Sequence, residues 1–321
     1  MTVTDAPLLG TAAAVEVLAG AAAAGATVVL SGHVQPDADA LGSVLALGGA
    51  LRRLGATVVP TFPGPFVVPA SLAWLPGAAD LVPATEVPAR PDVFVSLDAS
   101  STGRLGELAA LLDDAGRSVV VDHHASNPGS ATVALVADLV DGLGVPLDVD
   151  LAACLYAGLT ADTGSFRFGN TAPQTHELAA RLLRTGIDHA AISQRLFDTA
   201  PFGWLRLLAD VTGRAQLEPQ VGAGLVWTWA TTAEARGHGL AGDQLEALVD
   251  VVRATAEADV ACVLKGQDDG GWVVSLRSRG GTDVARVAIA LGGGGHRSAA
   301  GYSSSVGLEE TVVRLRAELG P

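Results

Sequence analysis

Cysteine is scarce in this chain. There are two in 321 residues, Cys154 and Cys262, far apart and each inside an apolar run. That excludes a disulfide framework and fits a reducing compartment, with both thiols expected in the core. Positive charge is short as well: 20 Lys and Arg face 34 Asp and Glu, a net charge of −14. A protein that grips long nucleic acid by counterion release needs many basic contacts to phosphate, so that class is set aside. Small anionic substrates remain open, because bound metal ions can supply local positive charge to an acidic protein. No apolar stretch reaches about 18 residues without a charge, which argues against a membrane span. The Ala-rich stretch 11–25 (TAAAVEVLAGAAAAG) lacks a basic segment, is interrupted by Glu16 and follows Asp5. It reads as a helix rather than a leader peptide, and the cytoplasm is the expected compartment. Internal repeats and low-complexity tails are also missing.

What the chain does have is apolar content, 49% of its residues, enough for two domains with real cores. In the first half, short Val-rich runs (ATVVLSG, ATVVPTF, DVFVSLD, RSVVVDH) alternate with helical patterns such as ADALGSVLALGGALRRLG. Near-continuous apolar strands separated by helices predict an α/β fold, a mostly parallel sheet flanked by helices. After a connecting helix and linker the pattern changes. The strands GAGLVWTWAT, ADVACVLKG and GWVVSLRSRG, with helices over GDQLEALVDVVRAT and LEETVVRLRAEL, predict a smaller C-terminal α/β domain. The expected division is 1–195, a connection over 196–214, and 215–321.

Chemistry-bearing residues gather where the early strands end. The first strand runs into His33, Asp37 and Asp39; another ends at Asp98; a third ends at Asp122, His123 and His124. An apolar helix ends at Asp162. Ligands of open α/β sheets bind at the carboxyl ends of the strands, so these residues are expected at one edge. Crowded carboxylates raise one another's pKa and are costly unless a cation lies among them. Carboxylate oxygen mixed with imidazole suits a first-row divalent ion such as Mn²⁺. His33, Asp37, Asp39, Asp98, His123 and Asp162 are too many ligands for one catalytic ion with open positions. They suit two ions sharing a carboxylate, roughly 3.5–4 Å apart. Asp122 is expected to orient an imidazole, or simply to cap its loop. Further on, Gly292–Gly295 with His296, and Arg277 on a nearby strand, suggest a phosphate-binding loop. Arg279 and Arg297 can be ordinary surface charges. His176, His189 and His238 read as solvated, and Trp227 and Trp229 as core.

His33-Val-Gln-Pro-Asp37-Ala-Asp39, Asp98, Asp122-His123-His124 and Asp162 resemble, in order, the four motifs of the DHH phosphoesterase family. The segment Leu291–Gly301 (LGGGGHRSAAG) and the strand VSLRSRG resemble that family's accessory DHHA1 domain. The resemblance covers nearly the whole chain. It implies an N-terminal DHH domain, a C-terminal DHHA1 domain and an active-site cleft between them. It implies that His33, Asp37 and Asp98 hold one ion, and that Asp39, Asp98, His123 and Asp162 hold the other. A water or hydroxide between the ions is the implied nucleophile. His124 is the implied phosphate contact or general acid, with Asp122 beside it. Arg277, Gly293, Gly294, Gly295 and His296 are the implied grip on the substrate's far phosphate or base, and Asn170 a further substrate contact. The ions are expected to be Mn²⁺, with Mg²⁺ or Co²⁺ as alternatives.

The compact two-domain form resembles the family's oligoribonuclease (nanoRNase) and pAp phosphatase branch. That branch implies short RNA of two to about five nucleotides, pApA and 3′-phosphoadenosine 5′-phosphate (pAp) as substrates. Cyclic di-AMP phosphodiesterase is the near alternative. Single-strand exonuclease is a further one, and a catalytically silent nucleotide-binding regulator the remote one. The absence of a basic Arg-Lys-Lys motif sets inorganic pyrophosphatase aside. A homodimer is expected.

Overall fold

The computed structural model describes residues 10–123, 131–240 and 242–320. Contacts divide them into two units, the first ending at Thr199 and the second beginning at Ala200.

The first unit runs α1 (Gly10–Ala23), β1 (Thr27–Ser31), α2 (Ala38–Arg53), β2 (Thr57–Phe62), β3 (Val82–Pro83), β4 (Val93–Leu97), α3 (Leu111–Asp114), β5 (Arg117–Val121), α4 (Thr132–Gly142), α5 (Val149–Asp162), α6 (Pro173–Leu183) and α7 (His189–Phe197). Its sheet has the order β3-β2-β1-β4-β5, with every pair parallel. Val28, Val29 and Leu30 of β1 are wholly buried, as a sheet covered on both faces demands. Val28 and Leu30 join the large cluster with α2, α4 and α5, whereas Val29 and Phe94 meet Leu105, Leu108 and Leu111 on the opposite face. The chain leaves β1 toward β2 on one side and returns through β4 on the other. The carboxyl ends of β1 and β4 therefore flank the switch point, where α/β sheets open a crevice.

Helix α2 starts at Asp37, whose carboxylate caps it by accepting the Asp39 and Ala40 N–H groups. Two glycines let α2 approach α5. A Cβ on Gly42 would stand 2.5 Å from the Cys154 carbonyl oxygen. One on Gly158 would stand 2.7 Å from Val133 Cγ1 and 2.9 Å from Asp39 Cα. This contact fixes the distance between the start of α2 and the end of α5, which carry Asp39 and Asp162. Gly158→Ala is expected to destabilise the fold by about 1–3 kcal/mol through overpacking. It should also weaken metal binding, and denaturant unfolding with metal titration reads both.

The second unit runs α8 (Phe202–Gly213), β6 (Gln216–Glu218), β7 (Leu225–Ala230), α9 (Thr232–Gly237), α10 (Leu248–Val252), β8 (Val260–Gly266), β9 (Trp272–Ser278), α11 (Val284–Ala290), β10 (Gly294–His296), β11 (Ala299–Ser304) and α12 (Leu308–Leu319). Its mixed sheet has the order β10-β11-β9-β8-β7-β6. The stretch 242–255, expected as one helix, is instead a 3₁₀ turn over Gly242–Leu245 followed by the short α10. Leu245 of the first piece and Leu248, Val249 and Val252 of the second are buried on the same sheet face, with Leu207 and Val211 of α8. Cys154 and Cys262 are free and buried, one in each unit. Trp227 and Trp229 stack on each other with centroids 5.7 Å apart, half-buried against the other face of the sheet.

Candidate metal centre

Asp98 follows β4 and is 3% exposed. Its φ of +59° is left-handed, a conformation Asp tolerates better than most residues. Its N–H donates to the Val121 carbonyl, tying the ends of β4 and β5 together. The two carboxylate oxygens then point at different partners. Oδ2 lies 3.5 Å from His33 Nε2, and Oδ1 lies 3.6 Å from His123 Nε2. His33 Nε2 is also 3.6 Å from Asp37 Oδ2. His123 Nε2 is 3.8 Å from Asp39 Oδ2 and 3.7 Å from Asp162 Oδ2. Two ligand sets result, His33–Asp37–Asp98 and Asp39–Asp98–His123, with Asp162 reaching the second through His123.

The surroundings fix which atoms face inward. His33 Nδ1 donates to the Val34 carbonyl at 2.9 Å, which turns Nε2 toward the carboxylates. Asp39, 1% exposed, accepts Thr132 N–H at 2.6 Å and Val133 N–H at 2.8 Å, so it sits at the N-terminus of α4. The Thr132 hydroxyl donates to Asp98 Oδ1 at 2.9 Å. Asn170 Nδ2 donates to Asp162 Oδ2 at 3.1 Å, so the residue expected to touch substrate also holds a ligand carboxylate in place. Asp122 stands half-buried between β5 and His123. His124 lies outside the described residues.

Crowded, buried carboxylates and imidazoles set the electrostatics of the cluster. Burial pushes the Asp39 pKa well above the ordinary carboxylate range, and Asp98, Asp162 and Asp37 push it further. For His33, burial works against the charged form. Hydrogen bonds to Asp37 and Asp98 outweigh it and raise the imidazole to about 9. For Asp37, desolvation opposes ionisation, but the bond to His33 and the Ala40 N–H hold it below the ordinary range. A proton on His33 does in part what a metal ion would do more fully. The donor set of buried carboxylate and imidazole, with one carboxylate shared, fits two divalent ions.

In the second unit, the sheet register gathers the expected anion ligands. Arg277 lies opposite Ala299, and Ala299 opposite His296. Residues directly opposed in an antiparallel ladder share a face, so Arg277 and His296 flank a small residue on one side of the sheet. The next row is Ser275, Gly301 and Gly294. Arg277 Nε is 3.5 Å from Asp250 Oδ1, and its Nη1 donates to the Leu276 carbonyl. The glycines divide by role. A Cβ on Gly293 would stand 2.1 Å from the Gly301 carbonyl oxygen, and one on Gly295 2.5 Å from Ala300 Cα. The close approach at these two positions is therefore that of β11. Gly292 and Gly294 face open space, where a ligand can approach. Arg279 donates to the Thr255 carbonyl, and Arg297 is exposed.

Comparison with known proteins identifies the family and its two domains. Residues 27–159 match the DHH family N-terminal domain, and residues 227–319 match the DHHA1 domain. The chain is 32% identical to the bifunctional oligoribonuclease and PAP phosphatase NrnA of Thermus thermophilus, over 90% of this chain and 87% of that protein. The chain belongs to the DHH family. It is a metal-dependent phosphoesterase of that family, with the DHH domain first and the DHHA1 domain second. It is also 27% identical to the cyclic-di-AMP phosphodiesterase GdpP of Geobacillus thermodenitrificans, over 90% of this chain and 46% of that one. An exopolyphosphatase-related protein from Bacteroides fragilis shares the fold, with a TM-score of 0.86, 24% identity and coverage of 96% of this chain and 95% of that one. Among the described residues no helix is long and apolar enough to cross a membrane.

Thr132 and Gly158 escaped the sequence reading. Thr132 opens a helix after small residues, a weak sign of a cap. Gly158 carried no sign, because the neighbour that requires it is Asp39, far off in sequence.

Proposed function

We propose that this phosphoesterase hydrolyses short oligoribonucleotides, including pApA, to mononucleotides and converts pAp to AMP, using two Mn²⁺ ions. The observation that carries the reading is Asp98, whose two oxygens each face a separate His-containing ligand set. Likeness to an oligoribonuclease and PAP phosphatase over most of the chain supports the substrate class. Bound ions would supply the Lewis acidity that brings the pKa of water near neutrality and offsets phosphate charge. The chain's own residues do the rest. His33, Asp37 and Asp98 hold one ion; Asp39, Asp98, His123 and Asp162 hold the other. Thr132 and Asn170 keep Asp98 and Asp162 in orientation. His124 hands a proton to the leaving oxygen, and Asp122 positions an imidazole. Arg277 and His296, with Gly294 in the next row, take the substrate's terminal phosphate. Homodimers in the cytoplasm complete the proposal, and light scattering on the purified protein tests the oligomeric state.

The test is Mn²⁺-dependent hydrolysis of pApA, pAp, cyclic di-AMP and a long RNA in parallel, with His123→Ala as the blank. Fast release of AMP from pApA and pAp with the long RNA spared supports the reading. Preference for cyclic di-AMP moves the chain to the cyclic-dinucleotide branch, which the likeness to GdpP favours as the second reading. Equal attack on long RNA overturns the short-substrate reading. Arg277→Ala is expected to raise the KM for pApA about tenfold to a hundredfold with little change in kcat. It removes a charge-assisted hydrogen bond of about 1.5–3 kcal/mol that acts on binding. Unchanged kinetics would remove Arg277 from the site.

A further inference from the structure

Lys265 is the one lysine of the sequence, against 19 arginines. It is buried in β8, on the sheet face where Ala261 and Val263 pack against α8 and α10. The register carries that face across to β9. Arg277 lies opposite Ala261, Ser275 opposite Val263 and Val273 opposite Lys265. Ser275 is thus the neighbour of Arg277 along its own strand and the diagonal neighbour of Lys265, about 7–8 Å away. Each cation is covered by an acid. Lys265 Nζ donates to Glu246 Oε1, and Arg277 Nε stands 3.5 Å from Asp250 Oδ1. Glu246 and Asp250 are one helical turn apart, about 5–6 Å, across the junction between the 3₁₀ turn and α10. The two acids therefore bring the two cationic heads to one patch.

The fold gives no reason for a charge at position 265. Its row-mates are Ala261 and Val263, and an apolar side chain in place of a buried ion pair is often neutral or stabilising. Lysine is almost never fully buried without a partner, and here the partner is held loosely. The Lys265 side chain is 4% exposed, but that of Glu246 is 59% exposed and that of Asp250 50%. Both carboxylates reach the cations from the solvent side, so they can swing out without opening the core. An ammonium and a guanidinium then face outward beside the Ser275 hydroxyl. Arg277 continues this patch into the row it shares with Ala299 and His296. Two fixed positive charges match the near-dianion of a terminal phosphate monoester better than a singly charged diester.

We propose that Lys265 joins Arg277 in binding the terminal phosphate of a nucleotide, and that Glu246 and Asp250 occupy the two cations until that phosphate displaces them. The proposal rests on the phosphate-ester reading above and sets which substrates the site prefers. A seat for a phosphomonoester end favours pApA over ApA, and over a cyclic dinucleotide whose phosphates are all diesters. No covalent bond is made or broken here. Lys265 and Arg277 keep their protons and exchange a carboxylate oxygen for a phosphate oxygen.

AMP and adenosine are the binding probes, since they differ only by the phosphate. Titration calorimetry on the full Mn²⁺-loaded chain compares wild type, Lys265→Met and Glu246→Gln, and kcat and KM are measured with pApA and ApA. Lys265→Met is expected to weaken AMP binding about tenfold to a hundredfold, as loss of a charge-assisted hydrogen bond does, and to leave adenosine unchanged. Its KM rises for pApA and not for ApA. Glu246→Gln is expected to tighten AMP binding at least about threefold, because a competing anion is gone. Opposite signs separate a ligand seat from a structural ion pair, whose two halves fail together. The proposal is overturned if Lys265→Met binds AMP within about twofold of wild type. It is equally overturned if Glu246→Gln binds AMP no tighter than wild type, a result that stands even where Lys265→Met fails to fold. Wild-type protein that binds AMP no better than adenosine overturns it as well. Failure of the wild-type protein to hydrolyse pApA overturns the functional reading instead, and AMP binding alone then decides the role of Lys265.

Discussion

Asp98→Asn is expected to lower turnover of pApA by at least about a thousandfold, since a bridged metal pair contributes several kcal/mol and 1.36 kcal/mol is tenfold in rate. The substitution is chosen to spare the fold. Asparagine tolerates the left-handed φ of +59°, and its amide oxygen can still accept the Thr132 hydroxyl. What it loses is the second anionic oxygen, the one 3.5 Å from His33 Nε2. Metal titration should therefore show fewer than two tight Mn²⁺ sites, with an unchanged circular dichroism spectrum. Asp98→Ala should abolish turnover too, but it also removes the Thr132 partner and places alanine in a strained backbone. Two intact sites in Asp98→Asn, or a rate above about a tenth of wild type, would remove the bridging role from Asp98.

The candidate ligand set was legible because each residue type is unusual where it stands. A buried Val-rich strand gains nothing from ending in Asp98, or in Asp122 and His123, unless those side chains have a shared task. The parallel order followed from the same runs, since apolar residues on both faces need helices on both faces. What stayed hidden depended on contacts distant in sequence. Thr132 N–H meets Asp39 across 93 positions, and Gly158 faces Asp39 from another helix. The glycine-rich segment was legible as a close approach but not as to what approaches. Gly293 and Gly295 make room for β11, and only Gly292 and Gly294 leave space beside them. Asn170 was readable as a polar residue near Asp162, but not as the donor that holds its carboxylate. The helix expected over 242–255 broke in two because both halves must turn apolar side chains onto one sheet face.

Removing divalent ions with a chelator should abolish turnover and lower the unfolding midpoint of the first unit by on the order of 10 °C or more. Each ion at a hundredfold excess over its Kd contributes about 2.7 kcal/mol, and a domain of this size shifts by about 2–4 °C per kcal/mol. The gain should depend on pH with a definite sign. In the metal-free protein His33 titrates near 9 rather than 6.5, so its contribution is present below about 6.5 and lost as pH rises through about 9. Asp39 titrates above its ordinary 3.8, so its ionisation weighs against the metal-free fold once the pH exceeds that value. The His33 effect makes the metal-free protein weaker as pH rises past neutrality. Metal binding runs the other way, because ligands must shed protons to coordinate. The Mn²⁺-induced rise in midpoint should therefore be larger near about pH 8.5 than near about pH 6, read by scanning calorimetry with and without Mn²⁺. A midpoint that ignores Mn²⁺ at both pH values would mean that the carboxylate cluster does not hold metal. A larger gain at the lower pH would mean that the proton on His33 is not what the ions displace.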